Sequence, residues 1–154
     1  MISIFGIISI VVALLSVAVI ILHNRVMAKR TPVDTYLADL ENLIRERLNN
    51  LYNESHPGTE LQALCGQYMD LDLNSMIKAL PDIDRACEDE PDINEHEITL
   101  SISKTTETLN QAIEAYNSFI TGSLPVKLMA FALTLTTEET IHCTLINDTR
   151  NRFH

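Results

Sequence analysis

Glycine is scarce in this chain, with four in 154 residues. A phosphate-cradling loop needs glycines in close order so that backbone N–H groups can approach the ligand, and no Gly-rich phosphate motif occurs. Cysteine is scarce as well. Cys65, Cys87 and Cys143 are odd in number and far apart, which argues against a disulfide framework and fits a reducing, cytosolic setting. There is no Cys-x-x-Cys or close Cys/His quartet to hold zinc, and His142-Cys143 is the only adjacent pair. Positive charge is the third deficit: eleven Lys and Arg face 21 Asp and Glu, and all the acidic residues follow Thr31. Such a surface repels phosphate backbones and anionic lipid headgroups alike. It excludes nucleic acid as a partner and predicts a domain that stands off the membrane. The acidity serves solubility first and a basic protein partner second.

What the chain does have is an unbroken uncharged, mostly aliphatic run from Ile2 to Leu22. As a helix it spans roughly 31 Å, the thickness of a bilayer's hydrocarbon core. A cleaved secretory signal would carry a basic n-region, a shorter apolar core and a small-residue cleavage site. Here only Met1 precedes the run, and the best cleavage match is Ser16-Val17-Ala18 inside it. The run therefore reads as a retained single-span anchor, with Ser3, Gly6, Ser9 and Ser16 as filler rather than a dimer seam. Arg25, Lys29 and Arg30 follow the span and no Lys or Arg precedes it. Positive flanks stay in the cytoplasm, so everything from His23 onward is expected there.

The rest reads as helices. Thr31 is a potential cap for a helix with Pro32 at its first position, and Val33, Tyr36, Leu37, Leu40, Leu43, Ile44, Leu48 and Leu51 form one apolar stripe. With Ala28 between span and stripe and no Gly there, the two helices are expected to run on nearly straight. Asn53 to Gly58 carries turn chemistry. A second segment starts near Thr59, with Asn74-Ser75 capping a fresh helix inside it, and Pro81 ends it; acidic Asp82 to Asp92 reads as an exposed connection. That stretch lacks the alternating ligands, central Gly and final Glu of a calcium loop. From Asn94 the helical period returns through Ile98, Ile102, Thr105, Leu109, Ala112, Ile113, Tyr116, Phe119 and Ile120, giving the longest soluble helix. Residues 98–102 also admit a short strand, which the later periodicity disfavours. Gly122 sits where a C-cap belongs and Leu124-Pro125 starts a new direction. Val126 to Leu135 is almost wholly apolar and too short to span a bilayer as a helix, which suggests a buried plug or a surface-seeking hairpin, burial being the plainer of the two, followed by a fraying polar tail.

Catalytic signatures are missing. His96-Glu97-Ile98-Thr99-Leu100 has Leu100 where a zinc-protease helix needs its second histidine. No Gly-x-Ser-x-Gly elbow presents a serine, and Glu138-Glu139 point to different faces of a helix.

Asn24-Arg25 after the anchor, Val33-Asp34 at a helix start, Leu80-Pro81-Asp82-Ile83, and Leu109 to Asn117 followed by Ile120, Leu124-Pro125 and Met129-Ala130 form a recognisable series. In these motifs the chain resembles the LemA family of bacterial membrane-anchored proteins, as a diverged or shortened member. It departs from the family in lacking a proline within Arg47 to Leu51 and a Phe-Gly-Phe near Leu133-Thr134-Leu135. The resemblance implies an antiparallel bundle of long helices on a membrane stalk, a bacterial inner or internal membrane, and scaffolding rather than chemistry. It also singles out Val33, Asp34, Pro81, Asp82, Tyr116, Asn117, Pro125 and Ala130, whose plainer roles are structural: Tyr116 in the core, Asn117 bonded within a turn, Pro125 opening a segment.

The expected architecture is all-α: anchor 1–22, basic juxtamembrane segment 23–31, helical bundle or coiled-coil domain 32–135, polar tail 136–154. The expected function is a non-enzymatic, cofactor-free scaffold that recruits protein partners, or a second copy of itself through the Val33 to Leu51 stripe. The alternative is a small helical hydrolase or regulatory subunit, built on His96 with Glu95 or Glu97, or on His142 with Glu138 or Glu139.

Overall fold

The computed structural model describes residues 4–90, 93, 96–133 and 135–141. Ile2, Pro91, Asp92, Asn94, Glu95, His142, Cys143 and the tail beyond lie outside the described residues, as does the side chain of His96. Among the described residues the chain is all-α without strands: α1 (Ile4–Glu54), α2 (Glu60–Tyr68), α3 (Leu73–Glu88), α4 (His96–Gly122) and α5 (Leu124–Ala132). Residues 98–102 are helical, so the three-four spacing prevails over their β-branched content.

α1 runs through the point where a cap was expected. The Thr31 hydroxyl donates back to the Met27 carbonyl at 2.9 Å instead of capping a new helix, and Pro32 lies inside α1. Proline removes the donor to the carbonyl four residues back and its ring crowds that carbonyl, but at this exposed position water can reach the freed carbonyl and α1 continues through it. With no Gly or turn residue nearby, the helix has no reason to stop.

Two compact units divide the chain: 1–34 with 111–140, and 35–110 with 141–154. In the first, the apolar residues from Ile4 to Ile21 are exposed to whatever surrounds the helix. This is a stretch long and apolar enough to cross a membrane, with none of it covered by protein. Its serine hydroxyls are satisfied within the helix, Ser9 on the Phe5 carbonyl and Ser16 on Val12, both at 2.9 Å. Burial begins at Val26 and Val33 on α1, and is shared by Ile113, Tyr116 and Ile120 of α4.

α5 corrects the buried-plug expectation. Val126 and Ala130 turn inward, while Leu124, Leu128 and Phe131 stand outward, Phe131 with 85% of its surface exposed. A nine-residue helix with one covered side leaves its other side bare whatever the sequence, and here that other side is apolar as well. Gly122 is the last residue of α4 without adopting a left-handed conformation; among the described residues only Gly58 does.

The second unit packs the amphipathic part of α1 with α2, α3 and the first half of α4. Leu40, Ile44, Leu48 and Leu51 are fully buried, as are Met76, Leu80 and Ile83 of α3 and Ile102 and Leu109 of α4. Along α4, burial falls at 99, 102, 106, 109, 113, 116 and 120, the alternating three-four step of a heptad seam. Thr99 and Thr106 occupy two seam positions that the apolar pattern left out. Gly58, at φ 83°, makes the turn after α1; Thr59 caps α2 by accepting the Gln62 N–H, and α2 packs on α3.

Three sequence expectations fail around α3. Its cap is Asp72, not Asn74-Ser75: the Ser75 hydroxyl donates to Oδ1 at 2.6 Å and the Ser75 N–H to Oδ2 at 3.3 Å. The hydroxyl bond leads in holding the Asp72 carboxyl below its ordinary pKa. Pro81 sits inside α3 rather than ending it, and Asp82 to Glu88 is helix rather than connection. The reason is burial beyond the proline: Ile83, Asp84 and Ala86 all face the core. Proline in a helix interior costs about 3 kcal/mol, which burying Ile83 together with a satisfied Asp84 offsets.

Asp84 is satisfied by Arg47, whose guanidinium approaches its carboxylate at 2.6 Å with both side chains almost wholly buried. Asp84→Ala should destabilise the full-length protein by roughly 3–5 kcal/mol, because a buried cation loses its partner. Replacing both residues, Arg47→Met with Asp84→Leu, should recover most of that loss. Urea titration followed by circular dichroism in detergent checks both values.

Candidate functional site

Within the unit formed by 1–34 and 111–140, α1 and α4 bring charged and polar groups to one place. Arg30 projects half-buried from α1, one turn before Asp34, and its Nε lies 3.7 Å from Asp34 Oδ2. Its Nη2 lies 3.6 Å from Glu138 Oε1. Glu138 is delivered by Asn117, whose Nδ2 donates to the Glu138 carbonyl at 2.8 Å while its Oδ1 accepts the Glu138 N–H at 3.0 Å. Asn117 was expected to bond within its own turn. It grips the main chain 21 residues further on, because a side-chain amide offers the same donor and acceptor as a peptide.

Tyr116 belongs to the core, as its place in the stripe predicted, with no exposed surface. Its hydroxyl is buried without a hydrogen-bond partner at good geometry among the described residues. Burial pushes the phenol's pKa up; the positive Arg30 opposes this and Glu138 reinforces it. The arrangement is an ion-pair lock: one cation between two carboxylates, roofing a neutral phenol. Partly exposed pairs of this kind contribute at most about 1 kcal/mol each, so the lock sets position more than stability.

No family model, curated protein or solved structure matches this chain. The site is defined by its own geometry. Arg25 and Lys29 are exposed on α1, and Val33 is buried beside the lock. Pro125 opens α5 and Ala130 faces inward, accepting the Leu135 N–H at 2.8 Å. Pro81 and Asp82 belong to the other unit; Asp82 is exposed on α3 with Arg85 3.6 Å away.

Of the groups considered for hydrolysis, Glu97 and Glu139 are exposed and the Glu138 carboxylate faces Arg30. Among the described residues, none of the His, Cys, Asp and Glu side chains gather in groups of three or more that could hold a metal. An open groove lined by Asn42, Arg45, Glu46, Asn49, Met69 and Asp70 lies in the unit containing α2 and α3. Its cation is already engaged: Arg45 donates to the carbonyls of Met69 and Leu71 and to Glu41, closing the C-terminal end of α2.

Two pairs escaped sequence reasoning. His56 donates its backbone N–H to Glu90 Oε2 at 3.0 Å, with ring Nδ1 at 3.2 Å, and the backbone bond is the main cause of the lowered Glu90 pKa. Nothing in the local sequence joins a turn to an acid 34 residues away. Arg47 with Asp84 left a trace: Arg47 stands seven residues after Leu40 and four before seam residue Leu51, where an apolar residue belongs.

The Tyr116 phenol has a pH signature. Its folded pKa is raised, so its contribution is complete below the ordinary tyrosine value and is lost as pH climbs through the folded one. Above about pH 10 the wild type should lose stability more steeply than Tyr116→Phe. The difference between the thermal melts of the two proteins should stay constant from neutral pH to pH 9 and shift against the wild type between pH 9 and pH 11.

Proposed function

We propose that this chain is a single-span membrane protein of a bacterial inner or internal membrane, with its helical domain in the cytoplasm as a non-enzymatic scaffold. The observation that carries the reading is the bare apolar length of α1 up to Ile21, followed at once by exposed Arg25 and Lys29. An exposed apolar cylinder of this length is stable only in lipid, and the adjacent cations hold that end on the cytoplasmic side. The resemblance to the LemA family points the same way. The domain presents a surface for partners: Asp39, Glu46, Glu54, Glu60, Asp70, Asp82, Glu88, Asp89, Glu97 and Glu107 are all exposed, which suits a protein with a basic face.

Topology is testable by protease treatment of sealed vesicles. Inverted vesicles should lose the domain to protease while vesicles of native orientation protect it; the reverse pattern would overturn the assignment. Removal of residues 1–22 should make the protein extractable from membranes by alkaline carbonate, which the full chain should resist. Turnover of a defined substrate by the purified protein, abolished by a single substitution, would replace scaffolding with catalysis.

A further inference from the structure

The acidity of the chain is unevenly distributed. Residues 35–110 and 141–154 carry seventeen acidic and seven basic side chains, whereas 1–34 and 111–140 carry four of each. Between Glu114 and Glu138 there is no acid at all, and the one charge there is Lys127. This acid-free stretch contains α5, whose outward face is Leu124, Leu128 and Phe131, 71%, 62% and 85% exposed, at positions i, i+4 and i+7. Three large apolar side chains on one side of a short helix, with an exposed lysine beside them, have the composition of a segment that lies in a membrane interface.

Its level along the anchor agrees. Tyr116 and Glu138 stand beside Arg30, about 12 Å of helix beyond the end of the span at Leu22. Val26, a turn nearer the span, is fully buried although Arg25, Met27, Ala28 and Lys29 around it are exposed. Apart from α1 itself, the residues of its unit are those of 111–140. Val126 and Ala130, the inward face of α5, belong to that part.

From these observations we infer that α5 is a second, peripheral membrane contact: its Leu124, Leu128 and Phe131 face inserts into the headgroup boundary of the leaflet from which the anchor emerges, with Lys127, Arg25 and Lys29 at the phosphate level. The occupant is lipid rather than protein, because the face is continuous with the anchor's unit and lacks the negative charge that elsewhere repels an anionic leaflet. The inference rests on the anchored reading, and its test separates the two.

The chain has no tryptophan, so single tryptophans report without background. Full-length Leu128→Trp and Phe131→Trp proteins are reconstituted in vesicles of phosphatidylcholine with a minority of phosphatidylglycerol, and emission is quenched by lipids brominated at defined depths. Both should emit blue-shifted and lose roughly half their intensity to shallow bromines, the depth of an interfacial helix. Leu100→Trp, at an exposed position of α4, should stay unquenched. Solvent-like, unquenched emission at both α5 positions would overturn the inference. Blue-shifted emission that lipid does not quench and that fades on dilution with lipid would also overturn it, in favour of a second copy on this face. Leu14→Trp tests the anchor independently through quenching by deep bromines, and its failure would remove the anchored reading itself.

Discussion

An arginine in a hydrophobic seam governs how much of this domain is built. α1 carries Val26, Val33 and Leu40 at seven-residue intervals, and the next member of the series is Arg47, fully buried. A guanidinium cannot remain there unless a carboxylate is brought to it, since an unpaired buried cation is far costlier than any single apolar contact is favourable. Asp84 is that carboxylate, and it is reached only if α3 continues as a helix past Pro81. The demand of one side chain on α1 thus decides the conformation of a segment 37 residues away. Arg30, also on the seam side of α1, repeats the demand more mildly: half-exposed, it makes do with two looser carboxylates at 3.6 and 3.7 Å.

The buried pair contributes specificity. Apolar seams of leucine, isoleucine and valine tolerate register slips, because one aliphatic contact resembles another. A buried ion pair does not, since a shift by one turn would strand both charges. At the other end, the apolar residues of α1 up to Ile21 are left uncovered by the protein. The same helix is therefore bare over one part, long and apolar enough to cross a membrane, and packed by its own chain over another.

Much of this was legible beforehand. The apolar run, the stripe on α1, the turn ending in Gly58, the length of α4 and the core position of Tyr116 follow from periodicity and turn chemistry, which are local. What was misread depends on partners distant in sequence. Pro81 looked like a terminator because the burial that carries α3 past it is tertiary; Asp82 to Glu88 looked like solvent-exposed acid because nothing local marks Asp84 as paired. Thr31-Pro32 imitates a helix start, yet a cap matters only where preceding residues leave the helix, and here they do not. The plug at Val126 to Leu135 failed for a different reason: apolar composition records affinity for a nonpolar medium without saying whether that medium is protein. In the site, Arg30, Asp34, Tyr116 and Asn117 were each singled out, but Glu138 entered as half of an acidic pair, and its tie to Asn117 has no sequence signature.

Asn117 and Asn110 share one habit. Asn110 donates to the Ile141 carbonyl at 2.7 Å and accepts the Ile141 N–H at 2.8 Å, as Asn117 does for Glu138. Each asparagine stands in for one rung of a β-ladder, so an extended segment is tethered to a helix with no sheet among the described residues. The grip is on peptide groups alone. Substitutions at 138 and 141 should therefore be broadly tolerated as far as tethering goes, with proline the exception for want of its N–H, while the two asparagines admit no ready substitute: aspartate loses the donor and glutamine overshoots the reach.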